Sequence, residues 1–132
     1  MERSRLVAIP LFASLEEADL ALLAAVAREA EATEGETIMA EGEPGSALYA
    51  IEDGTASVTM IGVPLALLGP GDVFGEMAVM AAGRRTATVV ATSPMRLLTL
   101  SNDDVSELDR TAPEVTARLR TLIGTRRFGG SS

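Results

Sequence analysis

The chain of 132 residues contains no cysteine and no histidine. Those absences remove a disulfide framework, a zinc site of the Cys/His kind, a cysteine nucleophile and any histidine-based triad. The histidine ligands of cupin-type metalloenzymes and the usual ligands of haem or iron–sulfur sensing are missing as well. Lysine is also absent, so all 11 basic residues are arginine. Against 19 acidic residues this leaves a formal net charge of −8, the wrong sign for a nucleic-acid surface. No apolar run approaches the ~20 residues that span a bilayer. The opening MERSRLVAIPLF is too short in its apolar part for a secretion signal and is followed by no small-residue cleavage site. The expectation is a soluble, cytoplasmic, non-enzymatic segment that does not insert into membrane, holds no metal or resident cofactor and binds no nucleic acid.

What is present is enough for one domain, since 47% apolar residues can fill a core at this length. Residues 1–31 read as helical. Pro10 stops a short lead-in over Leu6–Phe12, and Ser14-Leu15-Glu16-Glu17 has the form of a capping box. The helix it would start runs to about Ala30, with Leu15, Leu22, Leu23 and Val26 on its buried stripe.

From residue 35 to residue 100 the texture changes to short strands. Gly35, Gly45, Gly54, Gly62, Gly71 and Gly83 recur at turn-like spacing between Glu36–Ala40, Ala47–Glu52, Thr55–Met60, Leu65–Leu68, Ala87–Ala91 and Arg96–Leu100. Asp53-Gly54 has hairpin chemistry. Eight or so such strands closing over an apolar interior make an antiparallel jelly roll, so the expected fold class is mainly β with flanking helices. Residues 101–127 return to helix. Ser101 to Asp104 caps a short one, and Thr111-Ala112-Pro113-Glu114 reads as a second capping box. Val115, Leu119, Leu122 and Ile123 follow as an apolar stripe, and residues 128–132 read as a frayed tail.

One stretch stands apart: GDVFGEMAVMAAGRRTATV, Gly71 to Val89. A strand runs into Gly75, a one-turn helical pattern carries Glu76 and Met77, a loop delivers Arg84 and Arg85, and a strand opens at Thr86 and Ala87. Glycine lets backbone N–H groups approach a ligand, a helix N-terminus favours negative charge, and arginine offers a planar fork to two anionic oxygens. That is a way to grip a small anion.

The FGEMAVMAAGRRTATV segment resembles the phosphate-binding cassette of cyclic-nucleotide-binding domains. The likeness extends to Ile9-Pro10-Leu11-Phe12, Gly42-Glu43-Pro44-Gly45, Gly69-Pro70-Gly71-Asp72 and the helical tail, and so covers about residues 8–127. It implies an eight-stranded roll with a short cassette helix and two C-terminal helices, the last a lid. It further implies that Arg85 pairs the cyclic phosphate, helped by the Gly75 and Ala87 N–H groups and the Thr86 hydroxyl. Glu76 would accept the ribose 2′-OH. Met77, Phe74 and Val73 are either the apolar wall of the site or plain core.

Arg84 is either a solvated loop charge or the R-R-T-A form of animal hyperpolarisation-activated and cyclic-nucleotide-gated channels. Thr86 permits cAMP and cGMP, with cAMP ranked first. Arg126 is either the residue that caps the base, with Leu122 and Ile123 as apolar contacts, or a helix-dipole charge. Gly124 is a hinge or an early end to the lid. The flanks are most similar to the cytoplasmic C-terminus of bacterial cyclic-nucleotide-gated potassium channels, which implies fusion to a tetrameric channel. The alternatives are the sensor half of a catabolite-activator-type regulator and a nucleotide-free scaffold.

Overall fold

The computed structural model describes residues 1–40, 42, 47–75 and 87–130, the last seven as backbone only. Three helices open the chain: α1 (Arg3–Val7), α2 (Pro10–Ala13) and α3 (Glu17–Val26). Among the described residues eight strands follow: β1 (Arg28–Ala32), β2 (Thr37–Met39), β3 (Ala47–Asp53), β4 (Ala56–Met60), β5 (Val63–Leu68), β6 (Val73–Phe74), β7 (Thr88–Ala91) and β8 (Met95–Ser101). Two helices close it, α4 (Asn102–Thr111) and α5 (Pro113–Gly130). The expected cassette helix lies outside the described residues.

The strands form two four-stranded sheets, ordered β1-β8-β3-β6 and β2-β7-β4-β5, with every pairing antiparallel. Apart from the β4–β5 hairpin, successive strands alternate between the sheets, as in a jelly roll. The fold class is therefore the one the strand rhythm implies.

The first sheet is covered on both faces, and its side-chain alternation shows how. In β3 and β8, Leu48, Ala50, Leu98 and Leu100 face the helices, where they join Leu6, Phe12, Leu23, Val105, Leu119 and Ile123. Their alternates Ile51 and Leu97 face the roll interior with Phe74, Val89 and Met95. Burial of each large side chain contributes about 1.5–3 kcal/mol, so both cores are substantial.

Several local expectations give way to tertiary contacts. The helix expected to reach Ala30 ends at Val26, because Arg28-Glu29-Ala30-Glu31-Ala32 alternates and pairs with β8 from Arg28↔Thr99 to Ala32↔Met95. Helix propensity is worth tenths of a kcal/mol per residue and yields to a sheet ladder. The Ser14 capping box does not form: Ser14 closes α2, and Glu16 stands before α3 with no side-chain cap. Leu22 is 41% exposed rather than on the buried stripe. Pro10 does end the lead-in, but it does so by opening α2 at its first turn.

Asp53-Gly54 is not a hairpin either, since β3 and β4 belong to different sheets. It carries the chain across the roll. Gly54 has φ +92°, and a Cβ there would lie 2.3 Å from the Pro94 carbonyl oxygen. The actual hairpin is Ile61-Gly62, where Met60 faces Val63 and both turn residues have positive φ. The second capping box also fails: Thr111 lies inside α4 and its hydroxyl donates to the Glu107 carbonyl. The first Ser101 cap holds, accepting from the Asp104 N–H at 3.1 Å. The backbone of α5 continues to Gly130, through Gly124 and over most of the expected frayed tail.

Candidate functional site

The approach to the cassette is built by a turn. The Asp72 carboxylate accepts from the Gly69 N–H at 2.8 Å, and the Asp72 N–H donates to the Gly69 carbonyl at 3.0 Å. The turn is then pinned to β3: Gly71 N–H donates to the Ile51 carbonyl and Ile51 N–H to the Asp72 carbonyl. Gly71, at φ +94°, passes over the Pro10 ring of α2, where a Cβ would sit at 3.4 Å.

The two residues of β6 then part company. Val73 packs against the helical core, while Phe74 is buried in the roll interior. Phe74 sits opposite Tyr49 of β3, and their rings stack with centroids 5.1 Å apart. Phe74 is thus the one of the pair placed to wall the interior. Tyr49, the single tyrosine of the chain, packs against the roll interior, a placement that sequence reasoning missed; alternation within β3 is the signal that points it inward. Ile38, Met39, Val58 and Leu68 pack beside it, all partly buried.

Gly75 follows β6 with φ +81°, a conformation for which glycine is suited and most residues are not. Ala87 precedes β7 and is buried. Gly75 thus leaves the edge strand of the first sheet, and Ala87 leads into an inner strand of the second. Glu76, Met77, Arg85 and Thr86, with Arg84, lie outside the described residues.

From the other end, α5 approaches through its packing on the helices. Val115, Leu119 and Ile123 are fully buried in the helical core. Leu122 is half-buried in a cleft of about 300 Å³ with Ser14, Leu15, Ala117, Arg118 and Thr121. The Arg126 side chain is outside the described set.

Ion pairs hold this frame. Arg5 of α1 reaches Glu52 at the end of β3 with two hydrogen bonds of 2.9 and 2.5 Å, and it also pairs Glu29 of β1. The Arg5 guanidinium holds the Glu52 carboxyl below the usual carboxylate range, against the opposing effect of burial. Arg118 of α5 grips Asp19 of α3 at 2.7 and 2.6 Å and lowers its pKa in the same way. Arg28 does so for Asp104. Among the described residues there is no cluster of His, Cys, Asp or Glu fit to hold a metal ion, and no helix long and apolar enough to cross a membrane.

Residues 29–111 match the cyclic nucleotide-binding domain family. The chain belongs to that family. It is 38% identical over 124 residues to the cyclic AMP receptor protein of Thermus thermophilus, a match covering 89% of this chain and 56% of that protein. To the cyclic nucleotide-gated potassium channel of Mesorhizobium japonicum it is 34% identical over 125 residues, covering 95% of this chain and 35% of the channel. The crystal structure of the N-terminal domain of a transcriptional regulator from Streptomyces coelicolor superposes with a TM-score of 0.79 at 30% identity, covering 96% of this chain and 94% of that one. The chain spans about half of the first curated relative and a third of the second.

Proposed function

We propose that this domain is a cyclic-nucleotide sensor, with cAMP as the first ligand and cGMP as the second, and that it regulates an attached effector through α5. The observation that carries the reading is the cassette sequence FGE…RTA in a member of the cyclic nucleotide-binding domain family, between a left-handed Gly75 and a buried Ala87. In this reading Arg85 pairs the cyclic phosphate, and the N–H groups of Gly75 and Ala87 with the Thr86 hydroxyl complete its oxygens. Glu76 accepts the ribose 2′-OH. Phe74 and Met77 wall the site, with Leu122 and Arg126 brought to the base by α5. No residue is asked to break a bond, so the domain acts by binding and is not an enzyme.

The effector we propose is a membrane channel, with this domain on its cytoplasmic face; the match to the Mesorhizobium cyclic nucleotide-gated potassium channel supports this reading. The match to the Thermus receptor favours a second reading, the sensor half of a transcription regulator. Recovery of the native gene product in the membrane fraction supports the channel; recovery in the soluble fraction supports the regulator.

Calorimetric titration with cAMP and with cGMP tests the sensor itself. A charge-assisted hydrogen bond contributes about 1.5–3 kcal/mol. Arg85→Ala should therefore weaken cAMP binding on the order of 100-fold, equivalent to ~2.7 kcal/mol. Equal affinity of variant and parent overturns the assignment of Arg85. Absence of binding by the parent to either nucleotide moves the domain to the scaffold reading.

A further inference from the structure

Asp19 and Arg118 are 99 positions apart in sequence and meet through two hydrogen bonds of 2.7 and 2.6 Å. The two partners sit differently. Asp19 is only 3% exposed, on α3, whereas the Arg118 side chain is about half exposed on α5. Leaving a buried carboxylate without its partner is costly, while the guanidinium can return to water at little cost. Apolar packing of Val115, Leu119 and Ile123 holds α5 on the core, but ridge-in-groove contacts tolerate small rotations and slides. A two-bonded carboxylate–guanidinium fork does not, because its geometry is planar and directional.

We propose that Asp19 and Arg118 form a positioning clasp that makes α3 and the first half of α5 a single moving body. Any displacement of α5 then carries the N-terminal helices with it, or must first break the clasp. Its regulatory consequence rests on the sensor reading given above; the mechanical coupling does not. The clasp fixes the rotation of the first half of α5 about its own axis.

Native-state hydrogen exchange of the ligand-free protein tests the coupling directly. In the parent, amides of residues 20–26 and 116–123 should open with the same denaturant dependence. In Asp19→Asn and in Arg118→Gln, residues 116–123 should exchange about tenfold faster relative to β8, while residues 20–26 no longer follow them. Arg118→Lys keeps the charge without the fork and should show the same separation in weaker form. Uniform loss of protection across the whole domain would mark the pair as a plain stabilising bridge and overturn the proposal, as would α3 and α5 still opening together in both variants. Asp19→Asn removes the buried charge and releases the guanidinium to water, so it serves where Arg118→Gln, which strands the Asp19 carboxylate, fails to fold.

Titration with cAMP adds a second readout. Each single variant should bind about tenfold more weakly, because an unclasped α5 must be ordered on binding, and the double variant should be no weaker than either single one. Additive losses would overturn the clasp. A parent protein that does not bind cAMP would overturn the sensor reading instead, leaving the exchange measurement to decide the clasp.

Discussion

At the scale of single residues, a few positions carry constraints that composition cannot express. Gly54 combines φ +92° with a carbonyl oxygen 2.3 Å from where a Cβ would lie. Gly54→Ala should therefore destabilise the domain by at least ~2 kcal/mol, from the left-handed backbone together with the forced shift of Pro94 and Met95, and a lowered urea midpoint checks this. Gly62, at φ +73° with open space around it, should lose less under the same substitution.

Glu52 supplies a pH-dependent contribution. Its folded pKa is lowered by Arg5, so the pair contributes stability above the unfolded glutamate value of about 4.3 and loses it as pH falls through the folded value. Glu52→Gln should cost about 1–3 kcal/mol at neutral pH. It should also flatten the acid limb of the stability curve below about pH 4, as read by denaturation at several pH values. Glu52 was expected to end a strand ahead of a turn, and it does lie next to the end of β3. Its partner Arg5, 47 residues earlier, has no signature in local sequence.

At the scale of elements, α5 shows how a helix can be read correctly in its apolar stripe and incorrectly at its ends. Val115, Leu119 and Ile123 recur at helical spacing and are buried as that spacing predicts. Leu119→Ala should cost about 2–5 kcal/mol, since it empties a site between the helices and the first sheet. A calorimetric Tm lowered by several degrees or more is the expected result. The start of the same helix was misread because Thr111-Ala112-Pro113-Glu114 has capping-box chemistry, yet Thr111 remains in α4 and bonds backward to Glu107. Strand β1 was missed because Arg28-Glu29-Ala30-Glu31-Ala32 is good helix composition, and only its neighbour β8 makes it a strand.

At the scale of the whole molecule, the first sheet divides two cores. One face meets the helices that carry α5, and the other meets the interior that ends at Gly75 and Ala87. In the proposed reading, a ligand bound between Phe74 and α5 touches both layers. Saturating cAMP should then raise the stability of the whole domain. At a hundred times the dissociation constant the gain is about 2.7 kcal/mol, visible as an upward shift in Tm that Arg85→Ala cuts to about 0.4 kcal/mol at the same concentration.

The alternation of strands and turns, the apolar stripes of the last helices, the Ser101 cap and the cassette motif are all legible in the amino-acid order alone. Each depends on residues close together in the chain, where periodicity and hydrogen-bond chemistry act directly. Tertiary structure decided the rest. Which strands share a sheet, the conversion of residues 28–30 from helix to strand, and the choice of Ile61-Gly62 over Asp53-Gly54 as the hairpin all follow from pairing across the roll. The Tyr49–Phe74 stack and the Asp19–Arg118 clasp join residues 25 and 99 positions apart. Such pairs are selected by packing once the chain is folded, and no local pattern encodes them.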